Sequence, residues 1–160
     1  MTHFEKAAND SELKRLVREA VESVRAEQGS LLLLDMDGAN LQFVVSHSPD
    51  AAKLVGTWFP VNKSITGYAV LMQQPQNVGK VKADPLRMQT DNPILLQAEV
   101  MMVVPLSTPE ATFGALTAIN PQSGGSFTRE EFRRYQELAA DICRRLTELD
   151  LGMEDVGNLE

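Results

Sequence analysis

The segment Glu99–Pro121, EVMMVVPLSTPEATFGALTAINP, constrains the fold more than any other. Two apolar runs, Val100–Ser107 and Phe113–Asn120, flank Thr108–Pro109–Glu110, where a proline presets φ for a turn. Neither run alternates as a half-solvated strand would. Both therefore read as central strands of one hairpin, covered on each face. Pro105 lies inside the first run and predicts a bulge or an unpaired N–H there.

The remaining chain can be laid against this hairpin. Asn9, Asp10 and Ser11 are alternative caps for a helix whose stripe is Leu13, Leu16, Val17, Ala20, Val21 and Val24, ending at Gln28–Gly29. Ser30–Asp37 and Leu41–His47 form a second hairpin about the Asp37–Gly38 turn. Ser48–Val55 is a loop with a turn of helix. Thr57–Val61 is an edge strand that tolerates Pro60. Asn62–Gln74 is a helix, and Gly67 inside it points to a close backbone approach. Gln76–Val81 is a weak strand. Lys82–Leu96 is a long irregular segment with a short helix around Leu86–Gln89, and long ordered loops are commonly functional.

Thr128 and Glu131 form a capping box, with Phe127 and Phe132 as its hydrophobic staple. Phe132, Tyr135, Ala139, Ile142, Leu146 and Leu149 then make a heptad-like seam. At 1.5 Å per residue that helix is about 30 Å long. The acidic tail Gly152–Glu160 is expected to fray.

Composition narrows the function. The 160 residues, 43% of them hydrophobic, are expected to form one domain over 1–160 with its core at about 11–149. A net charge of −7 disfavours nucleic acid and an anionic membrane surface alike. No apolar run approaches the ~18 residues of a spanning helix, and the first residues lack a signal-peptide core. With Cys143 as the single cysteine no intrachain disulfide can form, and a cytoplasmic location is expected.

SITGYAVLMQQPQNVGKVKADP followed by VPLSTPEATFGALTAINPQSGGSFTREEFRRYQELA resembles the GAF domain family. The echoes are Gly67, Pro75–Gln76–Asn77–Val78, Val104–Pro105–Leu106, Gly114 to Asn120, and Phe127–Thr128, over about Ser11 to Leu149. The resemblance implies an α+β fold, a GAF/PAS-like six-stranded antiparallel sheet of order 3-2-1-6-5-4. Terminal helices would pack on one face, with a ligand pocket on the other. It also implies a regulatory module; such domains take cyclic nucleotides, tetrapyrroles or small metabolites. The cyclic-nucleotide motif is incomplete. Asn120 and Phe127 match, but Pro121 replaces its lysine and Glu131–Phe132 its Asp-Glu. Cys143 lies deep in the terminal helix, far from where a bilin would attach. The GAF-type reductases of free methionine sulfoxide need pocket-loop cysteines, which this chain lacks.

The expected function is a non-enzymatic sensor that holds an unknown small molecule, forms a homodimer through its terminal helices, and acts on a signalling output protein. A ligand-free interaction scaffold is the alternative, and a cyclic-nucleotide-binding domain the less favoured one. No cofactor and no metal site is expected: Asp35, Asp37 and Asn40 lack the other ligands of a calcium loop. His47 reads as a surface histidine without a triad. The candidate ligand residues are Trp58, Phe59, Tyr68, Asp84, Arg87, Met88, Gln89, Asp91 and Thr117. The candidate dimer residues are Leu13, Leu16, Val17, Val21, Tyr135, Ile142, Leu146 and Leu149.

Overall fold

In the computed structural model the two apolar runs lie in the sheet interior, as strands β5 (Met101–Ser107) and β6 (Ala111–Pro121). Thr108 closes their turn: its N–H and carbonyl pair with Ala111, and its hydroxyl accepts the Glu110 and Ala111 amides. The structure describes residues 2–151 and 153–154. β1 (Ala26–Leu34), β2 (Asn40–His47), β3 (Trp58–Pro60) and β4 (Gln76–Val78) complete a six-stranded antiparallel sheet of order β3-β2-β1-β6-β5-β4. A short β7 (Met153–Glu154) pairs with the first residues of β6, so that part of the tail is not frayed. Residues 152 and 155–160 of the expected fraying tail lie outside the described residues.

Alternation along the strands divides the core in two. Leu31, Leu33, Met102, Val104, Leu116 and Ala118 face α2 (Ser11–Ser23) and α5 (Arg129–Glu148). Leu32, Phe43, Met101, Val103 and Ala115 face the other way, towards α4 (Ile65–Met72) and the segment 81–98. Two bulges adjust the faces. One leaves Val44 unpaired between Phe43 and Val45; the other leaves Phe113 unpaired opposite Leu106–Ser107, which turns its ring into the helix-side core. The bulge expected at Pro105 thus falls one residue later. Pro105 itself pairs with Ala115, beyond Val103, where β4 pairing stops and β5 is an open edge.

The first helix is shorter than its stripe implies. α2 stops at Ser23, Arg25 takes φ +52°, and β1 starts at Ala26, which places Gly29 in mid-strand. A Cβ on Gly29 would lie 2.4 Å from Val21 Cγ2 and 2.6 Å from the Thr117 carbonyl, so only glycine lets α2 sit this close. α4 is also shorter than expected. A 3-10 turn at Val61–Lys63 precedes it, and Ser64 caps it by accepting the Gly67 amide at 2.8 Å. The close approach at Gly67 is to that turn: a Cβ would stand 1.5 Å from the Val61 carbonyl oxygen. No helix forms at Leu86–Gln89, because Asp84 Oδ1 takes the Leu86 amide at 2.8 Å and starts a turn.

α2 and α5 run antiparallel. Arg145 donates to both Asp10 oxygens at 3.0 and 2.6 Å at one end, and Arg134 donates to the Ser23 carbonyl at 3.1 Å at the other. Asp10 is at once the N-cap of α2, accepting the Leu13 amide at 2.9 Å. The capping box at Thr128 forms as expected, with bonds of 3.0 and 2.8 Å. A short α1 (His3–Ala8) precedes these elements, and α3 (Ala51–Leu54) is the turn of helix after β2.

The seam is used up inside the chain. Leu13, Val17, Val21, Tyr135, Ile142 and Leu146 have no exposed surface, so these six offer nothing to a second copy. Of the eight expected dimer residues, only Leu16 and Leu149 are half-buried. A 3.5- to 3.6-residue period reports that a helix face is covered, not by what.

The Arg145 hydrogen bonds hold the Asp10 carboxyl below its ordinary value, against the opposing effect of burial. A depressed carboxyl stabilises the fold above its unfolded pKa and loses that contribution as pH falls through the folded value. Arg145→Gln is expected to lower the melting temperature at neutral pH and to flatten the acid limb of the stability profile, read by thermal melts across acidic pH. Tyr135, fully buried, donates its hydroxyl to the Thr117 carbonyl at 2.5 Å, and burial pushes its pKa up. Tyr135→Phe removes that bond while Thr117 stays paired with the strands on either side, and should cost about 0.5–1.5 kcal/mol in urea unfolding; an unchanged midpoint would contradict it.

Candidate functional site

The face of the sheet away from α2 and α5 is not filled. A cavity of about 450 Å³ opens there, between the sheet, the start of α4 and the 82–98 segment. Its floor is one side of two paired strands: Gln28, Ser30 and Leu32 of β1 beside Ile119 and Thr117 of β6. Its side wall holds Phe43, Leu54 and Phe59. Phe43 and Phe59 meet edge to face, with ring centroids 6.0 Å apart. Ser64, Ile65 and Thr66 bring the N-terminus of α4 to the wall. The roof is Lys82, Arg87–Thr90, Ile94–Leu96 and Ala98.

The wall is apolar with a few polar groups of three kinds. Some are committed to the scaffold. Ser30 bonds the Ser46 hydroxyl at 2.8 Å, Thr117 donates to the Ser30 carbonyl at 3.4 Å, and Ser64 caps α4. Others are buried without a side-chain hydrogen bond among the described residues, namely Gln28, 9% exposed, and Thr66, 5% exposed. The third kind is charged. Arg87 and Lys82 are the cations at the wall, and among its described residues there is no carboxylate. Lys82 lies 3.9 Å from Glu99; Arg87 has no ion-pair partner among the described residues.

Of the nine expected ligand residues, Phe59, Arg87, Met88, Gln89 and Thr117 are brought together at the cavity. The other four are not. Trp58 points the opposite way along β3, is 63% exposed, and borders an adjoining hollow of about 480 Å³ that shares Phe59, Ser64, Arg87–Thr90 and Leu95 with the cavity. Tyr68 is half-buried on α4 away from the wall. Asp84 is occupied by its own turn, and Asp91 is exposed on the outside of the roof. Gln28, Ser30, Thr66 and Lys82 were missed. Gln28-x-Ser30-x-Leu32 alternates correctly for one strand face, but a strand begun at Ser30 leaves Gln28 out.

Other candidates have structural duties. Asn120 adopts φ +56°; its Oδ1 accepts the Glu99 and Val100 amides at 2.9 and 3.0 Å, and its Nδ2 donates to the Gln97 carbonyl at 2.8 Å. Phe127 is buried in the helix-side core. Asp35 spends its carboxylate on its own hairpin, accepting from the Ala39 and Asn40 amides and Asn40 Nδ2. No cluster of potential metal ligands forms among the described residues. His47 faces Glu22 at 3.8 Å on the surface. Cys143 lies on α5, on the far side of the sheet from the cavity, where burial pushes its thiol up to about 11.

A sheet of order 3-2-1-6-5-4, terminal helices on one face and a roofed cavity on the other define a known architecture, and the GAF domain family matches residues 9–146. The chain belongs to the GAF domain family. Solved GAF structures share its fold. The GAF domain of a phosphoenolpyruvate-protein phosphotransferase from Coxiella burnetii is 16% identical with a TM-score of 0.74, covering 92% of this chain and 90% of that one. The GAF-B domain of DevS from Mycobacterium smegmatis is 15% identical with a TM-score of 0.69, covering 86% and 91%. An enzyme shares it too: the type II free methionine-R-sulfoxide reductase of Thermoplasma acidophilum is 14% identical with a TM-score of 0.72, covering 95% and 99%. No protein of curated function matches this GAF chain in sequence. GAF domains are typically signalling modules, and among the described residues no helix is long and apolar enough to cross a membrane.

Adjacent aromatics of one GAF edge strand should differ sharply. Phe59→Ala removes a ring that is 7% exposed and should cost about 3–5 kcal/mol, whereas Trp58→Ala should stay within about 0.5 kcal/mol. Chemical denaturation of both variants checks this, and equal effects would contradict the placement.

Proposed function

We propose that this GAF domain is a non-enzymatic sensor that binds a small molecule in the cavity and reports it through its terminal helices. The observation that carries the reading is the cavity itself, apolar, roofed and furnished with buried polar side chains that the scaffold does not use. A route to the helices is built in at Thr117. Its side chain is at the cavity wall, and its carbonyl accepts the Tyr135 hydroxyl from α5 on the opposite face. Gly29, between Gln28 and Ser30 of the floor, lies beneath Val21 of α2. A ligand that shifts the β1–β6 floor therefore meets both terminal helices, and differential contact with two helix arrangements is what a switch requires.

The non-enzymatic part of the reading is supported by the wall's composition. Its described residues include no thiol, histidine or carboxylate that could act as nucleophile or base. The assembly we propose is a homodimer in the cytoplasm. It would make contact through the outer faces of the terminal helices, where Leu16 and Leu149 keep surface, and act on an output protein.

Native mass spectrometry of protein purified without stripping steps tests the reading. The expected spectrum is a dimer carrying a defined small extra mass. A bare protein that also gains no thermal stability from a metabolite library would overturn the sensor in favour of an interaction scaffold. A monomer would remove the dimer.

A further inference from the structure

We propose that the cavity selects a small organic anion, with the anionic group held at Arg87 and Lys82 and an apolar body against Phe43, Phe59 and Leu32. The inference rests on the sensor reading above and adds the charge of the ligand to it. Three independent observations converge. First, the chain carries a net charge of −7, yet the described wall holds two cations and no carboxylate. A cavity that opposes the sign of the protein around it attracts one sign of ligand. Second, Arg87 has no ion-pair partner among the described residues; the nearby Asp84 carboxylate is engaged with the Leu86 amide. Third, Gln28 and Thr66 are more than nine-tenths buried at the wall, and neither side chain has a hydrogen-bond partner among the described residues. Among the described residues Ser48 Oγ alone is a fully buried side-chain polar atom without a partner, so the polar atoms of Gln28 and Thr66 keep access to the cavity and are open to a molecule held there. An amide and a hydroxyl can both donate to an oxyanion.

The start of α4 reinforces the same sign. Ser64, Ile65 and Thr66 are at the wall, and the first amides of a helix have no partner within it. The partial positive charge of that terminus lies beside the buried Thr66 hydroxyl. The rest of the wall is aliphatic and aromatic, so an anion without an apolar body would leave most of the cavity unfilled.

A matched pair of fluorescent probes separates charge from apolar fit. Anilinonaphthalene sulfonate is anionic; N-phenylnaphthylamine has the same rings without the sulfonate. The full chain is expected to bind the sulfonate about tenfold more tightly, the scale of one charge-assisted hydrogen bond. Arg87→Gln, at an exposed roof position, should remove most of that difference while leaving the neutral probe within about twofold. Arg87→Lys should restore part of it. Because Arg87 is exposed, the preference should also shrink as salt is raised. Equal binding of the two probes, or a preference that survives Arg87→Gln, would overturn the anion proposal and leave the cavity reading standing. If neither probe binds, the cavity reading fails and this proposal fails with it.

Discussion

The pairing of β1 with β6 is the constraint on which the rest of the structure depends. These two strands lie at the centre of the sheet, with β2 on one side and β5 on the other. Their paired residues Ser30 and Thr117 contribute side chains to the cavity floor. The same pair is held from the opposite face, where Tyr135 bonds the Thr117 carbonyl and Val21 packs on Gly29. A hydroxyl reaching a strand carbonyl requires α5 to lie close to the sheet. A glycine at 29 lets α2 do the same, since any side chain there would collide with Val21 and with the neighbouring strand. The two helices are then locked to each other by Arg145 and Asp10. One face of the sheet is thereby closed tightly.

Much of this was legible in the sequence because it is written in periodicity. The apolar runs at 100–107 and 113–120, the stripe from Leu13 to Val21 and the capping box at Thr128 each have a local signature that the fold keeps. The family resemblance then supplied the strand order, which no local pattern contains. What periodicity does not encode is the identity of the covering surface. The seam from Tyr135 to Leu146 would look the same against a sheet or against a second chain, and here the sheet takes it. Gly29 misled for a related reason. A glycine after a helical stripe reads as a stop, but its use is steric, in a close approach to Val21 of α2 and to the Thr117 carbonyl of the neighbouring strand. Asn120 is similar: a turn residue by composition, it is also a three-bond clamp holding β6 to the 97–100 segment.

The candidate site was legible only by region. Loop 82–96 was marked by its length and lack of pattern, and it forms most of the roof. Which of its side chains turn inwards depends on turns set by single residues. Asp84 and Asn92 both draw a nearby amide onto their own side-chain oxygens, at Leu86 and Ile94, and so are spent on shaping the roof. Arg87, Met88 and Gln89 between them reach the cavity. A polar loop residue can thus be a builder or a lining group, and composition does not distinguish them. Trp58 and Phe59 show the same ambiguity on a strand, where adjacent side chains take opposite faces and the register decides which is inside.

The two faces of the sheet also differ in how they are held, and that difference suits a sensor. The helix face is secured by long-range contacts: a buried tyrosine bond, a bidentate ion pair and fully buried leucine, isoleucine and valine side chains. The roof is secured mainly by bonds between neighbours in sequence, such as Thr90 Oγ1 with the Asn92 amide and the Asn92 carbonyl with the Leu96 amide. Its long-range ties are at its ends, where Val81 donates to Glu99 and Asn120 donates to Gln97. A segment pinned at both ends and locally bonded between them belongs to the low-stability part of a fold. Met88, Ile94, Leu95 and Ala98 pack it onto the core beneath, so its opening would expose these side chains and leave the strand pairing intact. In the sensor proposed above, a small molecule would reach Gln28 and Thr66 by this route while the β1–β6 pair and the helices behind it stay assembled, and its binding energy would be applied to a floor whose other side is bonded to α5.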